Sequence, residues 1–345
     1  MVKELYGQTK EGQNVYAYTF ENKNGMEMTV LDFGANLLKV IVPDKDGVKR
    51  DVVLACESLE AFYQNGSFLC STVGPSANRI AKAEALIDGV VYKMDVNDGE
   101  NNLHTDIPNG LNKRMWDVEE LENGIKFTVE LKDMEYKLPG NRKMEVTYTL
   151  SDDNEIRIDY AAVSDKNTVM NPTNHTYFNL DGHESGTILD HTLWLKASHY
   201  TPVVAGAIPT GEIASVKGTP MDFTEWKTIG KDIEEDFEQL HLTSGFDHNF
   251  VVDDCDGTIQ EIAKAKAKSS GITLTVSSDL PGVQFYAGNC IAPETGKDGA
   301  KYDKRHGFCL ETQFYPDSVH HDKFPSAVFG PERPYQSATI FNFEV

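Results

Sequence analysis

The sequence predicts an all-β fold built mostly from antiparallel strands. Apolar and polar residues alternate with a period of two in residues 125–131, 144–150 and 156–160, a pattern typical of strands with one buried and one wet face. Asp88-Gly89 lies between two apolar segments, which is a strong β-hairpin signal. Helix candidates are rare, and the best is the acidic segment 229–240. We therefore expect one large domain over residues 1–345 with few short helices.

The same strand and turn pattern continues along the chain. The first clear turn, residues 43–47, carries both Pro and Gly signals and separates two strand-like runs. Residues 71–80 are rich in Gly, Pro, Ser and Asn and are predicted to form a loop. The remaining predicted strands share short apolar runs bounded by turn residues, and they lie near residues 28–42, 51–55, 85–92, 193–195, 200–204, 272–276, 307–315 and 338–345.

Residues 261–268, EIAKAKAK, carry two opposing signals, one for a helix and one for a strand. Ala and Lys favour a helix by intrinsic propensity. The alternation, however, has a period of two, and Ser269-Ser270-Gly271 then leads into an apolar run at 272–276. We interpret the segment as a strand in a hairpin, with its lysines on the solvent face.

Composition excludes several classes of function. The 345 residues carry a formal net charge of -22, which argues against binding to nucleic acid or an anionic membrane surface. No run of about 18 apolar residues occurs, and residues 1–7 lack the apolar core of a signal peptide. Five scattered cysteines show no CxxC spacing, so we expect reduced thiols and a cytoplasmic protein.

The common metal and cofactor motifs are absent or broken. His183-Glu184 lacks the second histidine of a zinc protease. A calcium-loop-like segment at 254–257 has Val252 and Ala263 at two ligand positions, and no phosphate loop or dinucleotide fingerprint is present. We therefore expect no metal and no cofactor.

Residues 171–180, NPTNHTYFNL, are the most unusual stretch of the chain. Pro and Asn oppose a helix, so an extended segment fits, with His175 and Tyr177 on the same face. A lone histidine is more often a buried residue satisfied by backbone groups than a catalytic one. A functional role for His175 is nevertheless favoured, because several other polar residues occur in unusual sequence settings. These are Arg79, His104, Asp247, Gln284 and Glu311.

Glu311 is the most informative of these residues because it stands among Phe308, Leu310 and Phe314. Strand alternation could place its side chain outward, in solvent. If the side chain points inward, it needs a partner or a raised pKa. A carboxylate and an imidazole are natural general acid–base groups near neutral pH, and Arg, Asp, Gln and Asn suit sugar hydroxyls.

Six short motifs resemble those of the aldose 1-epimerase family, from about Gly34 to about Phe343. Each is modest alone, but their order along the chain makes the resemblance specific. The motifs are Asn-Arg-Ile at 78–80, Asn-Leu-His at 102–104, PTNHTYFNL at 172–180, FDHNF at 246–250, PGVQFY at 281–286 and LETQ at 310–313.

The resemblance implies a large antiparallel β-sandwich with an open sugar groove, and a reaction that interconverts the anomers of free aldohexoses such as galactose and glucose. Glu311 would take the proton of the anomeric hydroxyl, and His175 would protonate the ring oxygen, with His104 assisting. The implied sugar-binding residues are Asn78, Arg79, Tyr177, Asp247 and Gln284. The expected partner is a small aldose, with no nucleic acid or membrane, and the expected assembly is a monomer or weak homodimer.

Two departures from the family pattern concern the pocket. Pro75-Ser76 stands where an aromatic residue or Arg is usual, and Thr105-Asp106 replaces the usual Gly-Gly after Leu-His. They leave the preferred sugar open. The alternatives are a non-catalytic sugar-binding or regulatory module, which need not keep both Glu311 and His175, and an epimerase for a phosphorylated hexose, which would need a basic cluster.

Overall fold

The computed structural model describes residues 1–345 and is dominated by antiparallel strands. Strands account for 44% of the residues and helices for 8%, so the predicted all-β class is confirmed. The strands are β1 Val2–Gln8, β2 Asn14–Glu21, β3 Glu27–Leu31, β4 Leu37–Pro43, β5 Lys49–Asp51, β6 Ser71–Val73, β7 Arg79–Ile80, β8 Glu84–Ile87, β9 Val90–Lys93, β10 Asn102–Leu103, β11 Asp117–Leu121, β12 Gly124–Leu131, β13 Arg142–Leu150, β14 Glu155–Ser164, β15 Thr168–Val169, β16 Thr173–His175, β17 Thr192–Leu195, β18 His199–Tyr200, β19 Val203–Val204, β20 Ile208–Pro209, β21 Ala214–Ser215, β22 Lys227–Thr228, β23 Asp247–Val251, β24 Gln260–Lys266, β25 Thr273–Ser278, β26 Gly282–Tyr286, β27 Glu294–Thr295, β28 Lys301–Tyr302, β29 Cys309–Gln313, β30 Val328–Phe329 and β31 Tyr335–Glu344.

The two α-helices are short, and one predicted helix is wrong. Helix α1 spans Leu59–Gln64 and α2 spans Glu238–Thr243. The predicted helix at 229–240 is mostly turns, and only its last three residues are helical. The backbone N–H groups of Ile229 and Gly230 donate to His191 and Leu189, so tertiary hydrogen bonds compete with the helical ones.

A nine-stranded sheet forms the largest layer, in the order β11-β12-β13-β14-β31-β25-β24-β17-β22. Its long strands alternate buried and more exposed residues, as β13 and β14 show. Strand β24 pairs with β17 and β25. The strand predicted at 261–268 is therefore confirmed. Burial of every second residue on the apolar face of the sheet stabilises the strand more than the intrinsic propensity of Ala and Lys stabilises a helix.

Two five-stranded sheets complete the main architecture. One is formed by β1 to β5 in sequence order, and the other has the order β21-β18-β23-β26-β29. Buried side chains of all three sheets join one hydrophobic cluster of 76 residues, to which Val40, Val146 and Phe285 belong. The stacking of sheets around a shared core is a β-sandwich arrangement. No helix has the length and apolar character that crossing a membrane requires.

Candidate active site

A polar cleft opens where the sheet containing β26 and β29 meets the loops around β6, β7 and β10. Its cavity volume is about 150 Å³, which leaves room for one small molecule. Seven of the eight predicted site residues are on its wall. They are Asn78, Arg79, His104, His175, Tyr177, Asp247 and Glu311.

Strand pairing brings these residues together from distant parts of the chain. Glu311 lies in the middle of β29 opposite Gln284 on β26, and β26 also pairs with β23, which begins at Asp247. His175 ends β16, which pairs with β6. Arg79 opens β7 and pairs with the strand that immediately precedes His104. Strands therefore hold most of these residues in fixed positions.

Glu311 and His175 form a buried pair at the floor of the cleft. The distance from His175 Nε2 to Glu311 Oε1 is 3.6 Å, and the two residues are 5% and 2% exposed, respectively. Glu311 Oε2 has no hydrogen-bond partner. Burial, reinforced by Asp247, raises the pKa of the Glu311 carboxyl well above its ordinary value, although Arg79 acts in the opposite direction. The side chain of Glu311 thus points inward, in a strand whose five residues are all buried.

Burial has the opposite effect on the histidines because it disfavours the charged imidazolium. It lowers the pKa of His175 to about 4. The pKa of His104 lies well below its ordinary value through burial, with further contributions from His175 and Arg79. The two rings meet edge to face with their centroids 5.3 Å apart. Both imidazoles are therefore neutral at pH 7.

The hydrogen bonds of His104 determine its tautomer. Its Nδ1 accepts from the backbone N–H of Asn78 at 3.1 Å, so Nδ1 carries no proton and Nε2 carries one. His104 and Asn78 both have positive φ angles, 54° and 57°, a conformation that is uncommon outside glycine and concentrates at functional sites. His104 therefore offers one N–H donor through Nε2.

Arg79 and Asp247 form a second polar group on the wall. Arg79 Nε donates to Asp98 Oδ2 at 2.8 Å, and Arg79 Nη1 lies 3.9 Å from Asp247 Oδ2. Gln284 Nε2 donates to Asp247 Oδ1 at 2.6 Å. Burial raises the pKa of Asp247, whereas Arg79 and Gln284 oppose the rise. Gln284 thus lies behind Asp247 instead of on the cleft wall.

Aromatic rings form the apolar part of the cleft. Phe68 packs against His104 with ring centroids 4.6 Å apart, and Tyr177 lies 5.0 Å from His175. The Tyr177 hydroxyl donates to the Ser67 carbonyl at 2.7 Å, and the Tyr286 hydroxyl accepts from the backbone of Cys290 at 2.8 Å. These hydrogen bonds fix both rings and leave part of their apolar surface facing the cleft.

Comparison with known proteins assigns the chain to a family. Residues 16–342 match the Aldose 1-epimerase family. The chain belongs to the aldose 1-epimerase family. It is 39% identical to the galactose mutarotase of Bos taurus over 93% of this chain and 92% of that protein. It is 34% identical to the aldose 1-epimerase of Escherichia coli K12, over 99% of each.

Solved structures of the aldose 1-epimerase family share the fold. The crystal structure of an aldose epimerase homologue from C. elegans has a TM-score of 0.87 and 32% identity, covering 95% of this chain and 98% of that one. Galactose 1-epimerase from Lactobacillus acidophilus has a TM-score of 0.86 and 27% identity, covering 99% and 98%, respectively. The predicted galactose mutarotase-like β-sandwich is therefore confirmed.

Several residues on the wall of this aldose 1-epimerase family cleft were not predicted to be site residues. They are Gly66, Ser67, Phe68, Leu103, Tyr286 and Cys290. Leu103 and Tyr286 lie inside quoted motifs, so the motifs contained a signal for them. Residues 66–68 and Cys290 lie in segments without a recognisable motif, and only the fold brings them to the cleft.

Asp106, one of the departures from the family pattern, does not line the cleft. Its carboxylate accepts from the backbone N–H of Asn109 at 2.8 Å, which closes a local turn. It lies instead on a neighbouring groove with Lys113 and Arg114. The Asp106 side chain therefore does not narrow the cleft.

Two groups of side chains have ligand atoms close enough for a metal ion. The first is His175, Cys309 and Glu311, and the second is Asp51, His183 and Asp298. In the first group, Cys309 Sγ lies 3.5 Å from Nδ1 of His175, whereas Glu311 lies beside Nε2. One ion would use a single imidazole nitrogen, so these side chains would have to move to bind it. In the second, Lys297 Nζ already lies 2.7 Å from Asp51.

Proposed function

We propose that this protein is an aldose 1-epimerase that interconverts the α and β anomers of free aldohexoses such as galactose and glucose. The observation that carries the proposal is the buried pair of Glu311 and His175, 3.6 Å apart, with an unpartnered carboxylate oxygen at the cleft. A base and an acid side by side suffice for ring opening, since the reaction transfers no group and needs no oxidant.

The proposed reaction moves two protons. Glu311 takes the proton from the anomeric hydroxyl O1, the C1–O5 bond breaks as C1=O1 forms, and the ring oxygen O5 takes a proton from His175. Rotation about C1–C2 presents the other face of the aldehyde. Closure then runs the same steps in reverse, with Glu311 returning a proton to O1 and His175 accepting one from O5. The protein ends in its starting protonation state.

The buried environment supports a pair that shares one proton. Burial favours protonated Glu311 and neutral His175, and the reactive form, a carboxylate with an imidazolium, contains the same number of protons. The reactive form can therefore arise by proton transfer within the pair, without exchange with solvent. Sugar hydroxyls that donate to the carboxylate stabilise its ionised form. His104 serves as a neutral donor through its Nε2–H rather than as a second acid.

The charges on the wall support a neutral sugar. Arg79 is the only Lys or Arg side chain on the wall, and Asp98 and Asp247 already face it. A phosphorylated hexose would need several uncompensated cations. We therefore assign Arg79, Asp247 and Asn78 to sugar hydroxyls and Tyr177 to the sugar ring. Gln284 acts from behind by orienting Asp247.

The decisive experiment follows the optical rotation of freshly dissolved α-D-galactose. We expect wild-type protein to speed equilibration and Glu311→Gln to slow the catalysed rate by about 10²- to 10⁴-fold, while galactose binding by calorimetry is retained. Gln matches the protonated Glu311 side chain in size and in charge, so the variant should fold. The matched control is Glu122→Gln in the exposed turn between β11 and β12.

If the wild type binds sugars but accelerates none of galactose, glucose or other aldoses, the enzyme assignment is wrong. A non-catalytic sugar-binding module on the same fold then remains. Equal rates for wild type and Glu311→Gln would instead keep the activity and reject Glu311 as the base.

The proposed location is the cytoplasm. All five cysteines are free, and Cys56, Cys70 and Cys309 are buried as thiols, which suits a reducing compartment. We further propose a monomer or weak homodimer. Light scattering at several concentrations tests the assembly.

A further inference from the structure

Thr105 adopts a backbone conformation that its side chain disfavours. Its φ angle is 69°, and the residue is only 2% exposed. A β-branched residue in this left-handed region is a genuine outlier, whereas glycine would adopt it freely. The residue directly follows His104, so the strained position lies at the edge of the cleft. A strained residue persists only where its surroundings compensate.

The Thr105 hydroxyl provides the compensation through two hydrogen bonds to one residue. Its Oγ1 accepts from the backbone N–H of Ser76 at 2.9 Å and donates to the backbone C=O of Ser76 at 2.9 Å. Ser76 is 3% exposed, so these backbone groups would otherwise be buried without this partner. Glycine at position 105 would relieve the strain but could form neither bond.

These hydrogen bonds join two loops that contribute residues to the wall of the cleft. The first is the 75–79 loop, which ends at Asn78 and Arg79, and the second is the turn at His104 and Thr105. The loops are further joined by His104 N–H to the Asn78 carbonyl at 3.0 Å and Asn78 N–H to His104 Nδ1 at 3.1 Å. Four hydrogen bonds thus connect them, and the Thr105 hydroxyl supplies two.

The spacing of the two loops determines the tautomer of His104. Its Nδ1 can accept from Asn78 only while the two loops keep this spacing, and that bond keeps the proton on Nε2. Both hydrogen bonds of the Thr105 hydroxyl use only backbone atoms of Ser76. The link between the loops therefore depends on the hydroxyl of Thr105 and not on the side chain at position 76.

We propose that the Thr105 hydroxyl is a positioning group for the reaction, which holds the 75–79 loop against His104 so that Nε2–H and Arg79 stay aimed at the sugar. This proposal rests on the proposed aldose 1-epimerase function. Thr105 does not line the cleft, so it would act through Ser76, Asn78 and His104.

Three substitutions separate positioning from stability. Thr105→Ser keeps the hydroxyl, and we expect its kcat/KM for galactose to stay within about fivefold of wild type. Thr105→Val keeps the shape and loses both hydrogen bonds, and we expect kcat/KM to fall about 10- to 100-fold, as for a slightly displaced catalytic group. Thr105→Gly relieves the backbone strain, so its melting temperature should exceed that of Thr105→Val while its kcat/KM falls equally.

The control is Thr29→Val in the N-terminal sheet, which removes the partly buried hydrogen bond between the hydroxyls of Thr29 and Thr19, 2.9 Å apart. It should lower the melting temperature without changing kcat/KM. Nitrogen-15 NMR of the imidazoles adds a readout independent of turnover: His104 should be the Nε2–H tautomer in wild type and Thr105→Ser, and a tautomer mixture in Thr105→Val.

Equal kcat/KM for the Val and Ser variants, or an unchanged His104 tautomer in Thr105→Val, would overturn the positioning role while leaving the activity intact. A wild type without mutarotase activity would instead overturn the proposed function. The NMR comparison would still decide whether Thr105 holds His104.

Discussion

The pH dependence of catalysis should reveal the buried acid–base pair. The unperturbed pKa of histidine is about 6.5, whereas burial lowers that of His175 to about 4. The reactive pair needs one shared proton. Uptake of a second proton leaves no base, so this step sets the acid limb of kcat/KM, which reports the free enzyme.

The size of the effect follows from the difference between these values. With a pKa of about 6.5, kcat/KM at pH 5 would fall about 30-fold below its plateau. With a pKa of about 4 for His175, the fall at pH 5 should be only about 10%. We therefore expect a flat profile from pH 7 to pH 5. On the basic side, the rate should fall only above the raised pKa of Glu311, since loss of the shared proton removes the acid.

The assay is polarimetry of α-D-galactose at substrate concentrations well below KM, with the uncatalysed rate in each buffer subtracted. Circular dichroism at each pH checks that the protein stays folded. A plateau that ends between pH 6 and 7 in folded protein would refute the argument, because it would mean that His175 titrates as a solvated imidazole.

Two further perturbations test the surroundings of the pair. Asp247→Asn removes the carboxylate between Arg79 and Gln284. In steady-state assays we expect the KM for galactose to rise about 10- to 100-fold, the typical worth of a charged hydrogen bond, with kcat less affected. A KM below that of the wild type would contradict this role. His248 is fully buried, and burial lowers its pKa to about 3. The pKa of His248 is lower in the folded protein than in the unfolded chain, where it is about 6.5. The unfolded state therefore binds a proton first as the pH falls, and at pH 4 this lowers the free energy of unfolding by about 3 kcal/mol. Urea unfolding at pH 7 and pH 4 should therefore show a smaller acid loss for His248→Gln than for wild type or the exposed control His241→Gln, and an equal loss in all three would reject the assignment.

Local patterns predicted the class of fold well and the helices poorly. The period of two in residues 261–268 outweighed helix propensity, and β24 confirms that choice. The acidic segment 229–240 lacked such a pattern, and the tertiary hydrogen bonds of Ile229 and Gly230 decided its turns. The single-domain boundary, the cytoplasmic location and the assembly stay predictions.

The sequence by itself determined the identity and the order of the polar residues of the cleft, because motifs such as 172–180 and 310–313 are local. Only the tertiary structure decided which groups are close and how they ionise. Strand pairing placed Glu311 opposite Gln284, a side-chain hydrogen bond holds Gln284 behind Asp247, and loop packing brought Phe68 to His104. The protonation of His175 and the strained link at Thr105 depend on burial and on contacts between residues far apart in sequence, and no local pattern contains these.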